Sequence, residues 1–435
     1  MSKVILPVIL LVVLLAVAFP FVLSSKPVVE VTPAVSMLGQ ATPITVHVSH
    51  KSGIRKVSAF LEQGGGSYRV WELAQPTKDR EGTWTFTTGA KTVPQLKDGK
   101  AQLIVEARSN GLLGKTDRWQ HEVTVVTRPP SVTADSDQHY LYQGMADLAT
   151  LDVSGNWTEA GVRVGDQTFR AWPMPGGKPG YFALYAFAWN MPANTMPVVY
   201  ASNGAGNDVT SPLVVQFPKK EQPKYTLHTL QIDDKFMQKV VSELDPNGSG
   251  DLVTRFVKIN NEMRIANNKT LSDLRSKTVE KFLWSQPFLR QAGAKTEATF
   301  ADKRTYIYHG QKIDEQVHLG YDLAVTQHVG VQASNDGQVV WAAPLGIYGN
   351  CIVVDHGYGL QTIYGHLSHI EVKEGDMVKR GQSMGQSGMT GMAGGDHIHF
   401  SMQLDGVQID PKEFWDSHWI NDHIAKRVDL AGFRE

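Results

Sequence analysis

The 435-residue chain has a single cysteine, Cys351, so no intrachain disulfide can form and its domains must hold together by packing. Cys351 opens the apolar stretch Cys-Ile-Val-Val and reads as a buried structural thiol, not a reactive one. Charge of one sign is also missing: 42 Lys and Arg face 43 Asp and Glu, for a net charge of −1. That balance gives no support for a nucleic-acid binder, which usually needs a basic face.

Charge is absent altogether from Val4 to Leu23. Twenty helical residues span ~30 Å, the thickness of a bilayer's hydrocarbon core. The run is expected to be a retained membrane anchor. A cleaved signal segment is the alternative, but its apolar core usually runs only ~7–15 residues, and no clear Ala-x-Ala site follows here. Lys3 and Lys26 flank the run symmetrically and say little about orientation. On either reading, residues beyond 26 are expected to leave the cytoplasm.

From Val28 to Thr127 the pattern is of short strands. Ile44 to Val48 alternates apolar and polar, as do Val57–Leu61 and Leu103–Ala107, while Trp84 and Phe86 share one face of another run. Residues 27–128 are therefore expected to form an immunoglobulin-like β-sandwich, closed by the linker Arg128-Pro129-Pro130. Residues 129–224 repeat the style through Val162, Val164, Phe169, the run Tyr181–Ala186, and Leu213–Phe217, and predict a second such sandwich. The two are read as spacers, with envelope-protein partners as the alternative use of their surfaces.

At 225–294 the period changes to that of a helical connector. Phe236, Met237, Val240, Val241 and Leu244 follow Asp233 and Asp234, which can cap a helix. Leu252, Val253, Phe256 and Val257 repeat the spacing; Leu271 with Leu274, and Val279 with Phe282 and Leu283, predict further helix. This segment would serve as a lid or a brace. The intervening Asp245-Pro246-Asn247-Gly248-Ser249-Gly250-Asp251 looks like the front of a calcium loop, but position twelve is Phe256 where a bidentate Glu belongs, so a helix–helix turn is expected.

Histidines cluster after Phe300, in His318-Leu319-Gly320-Tyr321-Asp322 and His397-Ile398-His399. On a strand, 318, 320 and 322 face one side, as do 397 and 399. Each motif alone is common. Together they hold three imidazoles and a carboxylate, and two imidazoles with one carboxylate are a ligand set for catalytic zinc that leaves a fourth position for water.

The order of short motifs is more specific. After His-x-Gly-x-Asp at 318–322 come Asp355-His356-Gly357, Tyr364-Gly365-His366-Leu367, the run Val372–Gln382, Gly385-x-x-Gly388-x-Thr390-Gly391, and His397-Ile398-His399-Phe400. With the leading stretch Thr299–Tyr306, this resembles the M23 family of zinc peptidases, the lysostaphin or LytM type. The resemblance implies an antiparallel β peptidase domain over 295–420, followed by a tail at 421–435. It implies one zinc ion per chain on His318, Asp322 and His399, with His366 and His397 as catalytic histidines that are not ligands. The implied substrate is the cross-link or stem peptide of bacterial peptidoglycan, hydrolysed outside the cytoplasm by an enzyme anchored in the inner membrane through residues 4–23. The fold class expected is thus multidomain and mainly β. Two alternatives stand: a regulatory, amidase-activating LytM-like module, and a latent peptidase covered by its connector. Three departures bear on substrate preference: Ala301 where Gly is frequent, Asp396 where Pro is, and Ser401 where Glu is. Asp396 is expected to act electrostatically on His397.

Overall fold

The computed structural model describes residues 25–73, 77–111, 113–137, 139–217 and 226–433. Among these, no helix is long and apolar enough to cross a membrane, and the run Val4–Leu23 lies outside the described residues. The described chain is mainly β. It divides into two compact units: one takes the strands up to Val132 with 153–160 and 201–210, the other 133–152, 161–200 and the chain from Ser211 onward.

In the first unit, alternation translates directly into burial. Along Thr42–Ser49, Ile44, Val46 and Val48 are fully buried while their neighbours are more exposed. Each such side chain contributes roughly 1.5–3 kcal/mol when withdrawn from water. This strand lies between Val28–Val31 and Glu81–Thr88 in a three-stranded sheet. A five-stranded sheet carries Ile54–Gln63 and Gly99–Ser109 at its centre, and Val57, Ala59, Leu61, Leu103 and Val105 join the same core. Trp71 stacks on Phe86 with ring centroids 5.1 Å apart.

The second unit contains the C-terminal half and a β segment packed on it. There Ala146–Leu151 pairs antiparallel with Tyr181–Ala186. The packing is aromatic: Phe182, Phe282 and Tyr358 make edge and stacked contacts at 4.7–5.6 Å. A buried polar knot adds to it. His139 bonds Asp147 at 2.8 Å and Asp135 at 3.0 Å, His423 reaches Asp147 at 3.0 Å, and Arg427 donates to Leu148 O. This β segment is therefore fastened to the C-terminal half, which a free spacer would not be.

The knot makes stability depend on pH. Burial opposes a charge on His139, but the two carboxylates prevail and raise its pKa to about 9. Burial likewise opposes a charge on Asp147, yet His139, His423 and Arg427 hold it well below the usual carboxylate range. A raised histidine stabilises fully below its unfolded value of ~6.5, and that contribution fades as pH climbs through the folded value. The depressed carboxylate contributes above ~4 and fails only at lower pH. The unit should thus be firmest between those limits and lose on the order of 2–3 kcal/mol by pH 9.5. Thermal melting at pH 6 and 9.5 checks this: the wild-type midpoint should fall, and Asp147→Asn should fall less between the same two pH values.

The connector opens with a strand, Leu227–Ile232, paired in parallel with Asp302–Tyr308. Helix Asp234–Leu244 follows, capped by Asp233 accepting from Phe236 N, and then Leu252–Lys258, capped by Asp251. Between them Asp245 is engaged by Arg255 at 3.0 Å, so the calcium-like loop is an ion-paired helix turn. A third helix, Arg264–Asp273, ends in a short turn at Leu274–Lys277. The helix expected around Val279–Leu283 does not form. Val279 N bonds the Asp355 carboxylate and Leu283 N bonds His356 O, so this backbone is committed to the sheet. Met237, Val240, Phe256, Ile259 and Leu271 share one core with Val340, Ile347, Cys351, Val353 and Ile363. The connector is a brace built into the C-terminal half. Cys351 is fully buried, as expected, and burial pushes its thiol pKa up.

The C-terminal sheet is antiparallel throughout. Its order runs Lys295–Ala298, Tyr321–Ala324, His397–Leu404, Leu360–Leu367, Asn350–Asp355, Gly337–Pro344, Met377–Val378, with Val407–Ile409 branching from His397–Leu404.

Candidate active site

Sheet register assembles the histidines. His399 stands opposite Asp322 on one neighbouring strand and opposite Gly365 on the other. His318 ends the strand Gln311–His318, and the chain returns after two residues to bring Asp322 beside it. Gly320 at the bend is required by the site itself: a Cβ there would lie 2.7 Å from His399 Cε1 and 2.8 Å from Phe400 O. His366 arrives differently. The pairing of Asn350–Asp355 with Leu360–Leu367 slips near its end, and His366 takes a left-handed φ of 66°. Such an irregularity re-aims a side chain that strand periodicity would send elsewhere.

Three donor atoms form a tight triangle. His318 Nε2 lies 3.0 Å from Asp322 Oδ1 and 3.0 Å from His399 Nδ1, and His399 Nδ1 lies 3.3 Å from Asp322 Oδ1. The outward atom of each residue is already engaged. His318 Nδ1 donates to Thr299 O at 3.1 Å, His399 Nε2 meets Ser401 Oγ at 2.9 Å, and Arg304 grips Asp322 Oδ2 at 2.5 Å. Because a carbonyl can only accept, the His318 proton sits on Nδ1 and its Nε2 lone pair faces the carboxylate. Two acceptors facing each other across 3.0 Å call for a cation or a shared proton. The spacing suits a metal: donors at ~2.0–2.1 Å around a tetrahedral zinc sit ~3.3 Å apart. The outer partners are of the kind that orient metal ligands.

Protonation agrees with that chemistry. Burial raises the Asp322 pKa, but His318, His397 and His399 override it and hold the carboxylate well below its usual range. Burial lowers His318 despite Asp322, and with His318 and His397 nearby it lowers His399 to about 4. Two neutral imidazoles and one ionised carboxylate are the states that a divalent metal requires.

His366 and His397 flank the triangle, their rings 4.8 Å apart. His366 Nδ1 donates to Thr390 O at 2.9 Å, leaving Nε2 as an acceptor. Burial, then His397 and His399, push its pKa far down, so the ring is neutral. His397 Nδ1 donates to Gly395 O at 2.8 Å, and its Nε2 faces Asp322 Oδ1 at 3.4 Å. Burial opposes a charge there, but the carboxylate wins and the pKa rises. All five residues line one cavity of about 460 Å³, walled on one side by Phe236, Arg264 and Asn268 of the connector.

Residues 316–411 match the description Peptidase family M23. The chain carries an M23 peptidase domain. Within it, 96 residues are 35% identical to the DD-carboxypeptidase/endopeptidase Mpg of Neisseria meningitidis, covering 22% of each chain. The peptidoglycan DD-endopeptidase ShyA of Vibrio cholerae is 42% identical over 89 residues, 20% of this chain and 21% of that one. Stage II sporulation protein Q of Bacillus subtilis is 40% identical over 88 residues, 20% of this chain and 31% of its own. The chain thus spans about a fifth of the length of the first two relatives.

The other histidines of the M23 domain are placed by local bonding. His356 is buried between Asp336 O and Thr362 Oγ1, and burial lowers its pKa to about 4. His328 is an exposed loop residue with φ of 55°. Its backbone N–H donates to Asp396 Oδ2 at 3.3 Å. Two residues of the site gain a role only from the geometry. Arg304 lies in the leading stretch that marked the family, so that match was a usable signal. Ser401 was noted only as a departure, yet it is the outer partner of His399.

Proposed function

We propose that the chain is a zinc-dependent endopeptidase that hydrolyses cross-link or stem peptides of bacterial peptidoglycan. The observation that carries this reading is the 3.0–3.3 Å donor triangle with two further histidines on the same cavity. The names of the relatives Mpg and ShyA specify peptidoglycan or DD-peptide hydrolysis and support the substrate class.

His318, Asp322 and His399 would hold the metal. When bound, zinc supplies a Lewis acid for the scissile carbonyl and lowers the pKa of water toward ~7. His366 is the general base: neutral, with Nε2 unprotonated and its orientation fixed by Thr390. His397 is held between a carbonyl and a carboxylate, which favours both ring nitrogens as donors. With Nδ1 held by Gly395 O, Nε2 is the nitrogen that turns from its 3.4 Å contact with Asp322 to donate to the carbonyl oxygen as negative charge develops there. Arg304 keeps Asp322 ionised and turned inward. A complete donor set favours catalysis over a purely regulatory role. We further place residues beyond 26 outside the cytoplasm, with Val4–Leu23 as the anchor.

Digestion of purified peptidoglycan by residues 27–435, with mass spectrometry of the products, tests the activity. New peptide ends that vanish with a metal chelator and return with zinc are expected. Intact muropeptides at full zinc loading would refute it.

A further inference from the structure

The cavity holds one cation that the peptidase reading leaves unused. Arg264 comes from the connector helix Arg264–Asp273, outside residues 316–411, and lines the same cavity as His366, His397 and His399. Its guanidinium is fixed by neutral acceptors. Nε donates to Asn260 O at 3.1 Å, and one terminal nitrogen donates to Asn260 Oδ1 at 2.6 Å and touches Met392 Sδ at 3.4 Å. Asn260 is itself fully buried and locked by donating to Asp314 at 2.6 Å. The head is therefore held in one geometry while a second terminal nitrogen carries no such contact.

The cavity's carboxylates do not neutralise it. Asp322 is taken by Arg304, Glu297 by Lys295 at 2.8 Å, and Asp233 caps its helix through Phe236 N at 2.7 Å. Among the described residues, no carboxylate lies within ion-pair distance of Arg264. Tyr348 connects this side of the cavity to the chemistry: its hydroxyl meets Asn268 at 2.8 Å, and its ring lies 5.3 Å from that of His399. A fixed guanidinium with no carboxylate partner and one terminal nitrogen free, beside a hydrolytic centre, offers the charge-assisted donor that a carboxylate accepts.

We propose that Arg264 is the carboxylate anchor of the substrate groove, binding a free carboxylate on a residue that flanks the scissile bond. This rests on the endopeptidase reading above and adds a specificity to it. The groove then selects acidic peptides over their amidated forms, and the selecting residue belongs to the connector.

The test uses a synthetic D-alanyl cross-link peptide with its flanking carboxylate free, and the same peptide as the carboxamide. For the zinc-loaded full chain, kcat/KM should favour the acid by about 10- to 100-fold, the range of a charge-assisted hydrogen bond to a fixed arginine. In Arg264→Met the acid-to-amide ratio should collapse toward one. Arg264→Lys, which keeps the charge but loses the bonds that fix the guanidinium on Asn260, should give an intermediate ratio. A merely structural role would lower both substrates together and leave the ratio alone. Equilibrium binding of the same two peptides separates the two proposals. If neither peptide is cut but the acid binds more tightly and Arg264→Met removes the preference, the peptidase reading fails and the anchor stands. A ratio near one in the wild type, or one that persists in Arg264→Met, overturns the anchor.

Discussion

Replacing His399 by alanine is expected to remove stoichiometric zinc and to abolish peptide hydrolysis together. His399 provides one corner of the donor triangle, on a strand that has Asp322 across one ladder and Gly365 across the other. Without it, His318 Nε2 and Asp322 Oδ1 remain 3.0 Å apart but offer a two-point site. A graded control comes from Ser401→Ala. That change leaves every proposed ligand in place and removes only the 2.9 Å contact to His399 Nε2. Loss of such an outer partner typically weakens metal affinity by about 10- to 100-fold. Zinc titration against a competing chelator should therefore order the proteins as wild type, then Ser401→Ala, then His399→Ala with no measurable site. Full zinc in His399→Ala would remove His399 from the ligand set. Unchanged affinity in Ser401→Ala would make the hydroxyl a bystander.

The parts of this site that were legible in the sequence are those that strand geometry encodes. His397 and His399 sit two apart on one strand, and a period of two is the one regularity that a strand imposes, whereas His318 and Asp322 lie on successive strands about the bend at Gly320, so a shared strand face is not what brings them together. The first helix cap was legible for the same local reason, since Asp233 precedes an apolar run with helical spacing, while Asp251 was read only as part of the calcium-like loop and proves to be a cap as well. Where the outcome depended on long-range packing, local pattern misled. Val279, Phe282 and Leu283 have helical spacing, but Phe282 is drawn into the aromatic cluster with Phe182 and Tyr358, and the backbone is bonded to residues 355 and 356. The parallel strand Leu227–Ile232 went unseen because its partner, Asp302–Tyr308, lies some 75 residues away in the chain. Arg264 carried no signal at all. Nothing local marks a surface-helix arginine as facing a cavity whose histidines and Asp322 come from strands at 318 and beyond.

The position of His366 was readable only by analogy, and its backbone explains why. A non-glycine residue at φ of 66° is not one that strand periodicity anticipates. That conformation costs roughly 1–2 kcal/mol in a residue bearing a Cβ, and strain of this kind persists where function demands it. This gives a prediction with two readouts. His366→Ala should keep its zinc, because His366 supplies no corner of the donor triangle and its ring centre is 5.8 Å from that of His399. It should lose about 10²- to 10⁴-fold in kcat, the usual contribution of a positioned general base. His366→Gly should be equally impaired but more stable than His366→Ala by on the order of 1 kcal/mol, because both lose the ring and its bond to Thr390 O while only alanine retains the left-handed penalty. Single-turnover kinetics at saturating zinc, paired with equilibrium denaturation of the two variants, separates the contributions. If the histidine acts as the base, the two variants should coincide in rate and diverge in stability. A variant pair that differed in rate, or either one retaining wild-type kcat, would assign proton abstraction to His397 or to solvent instead.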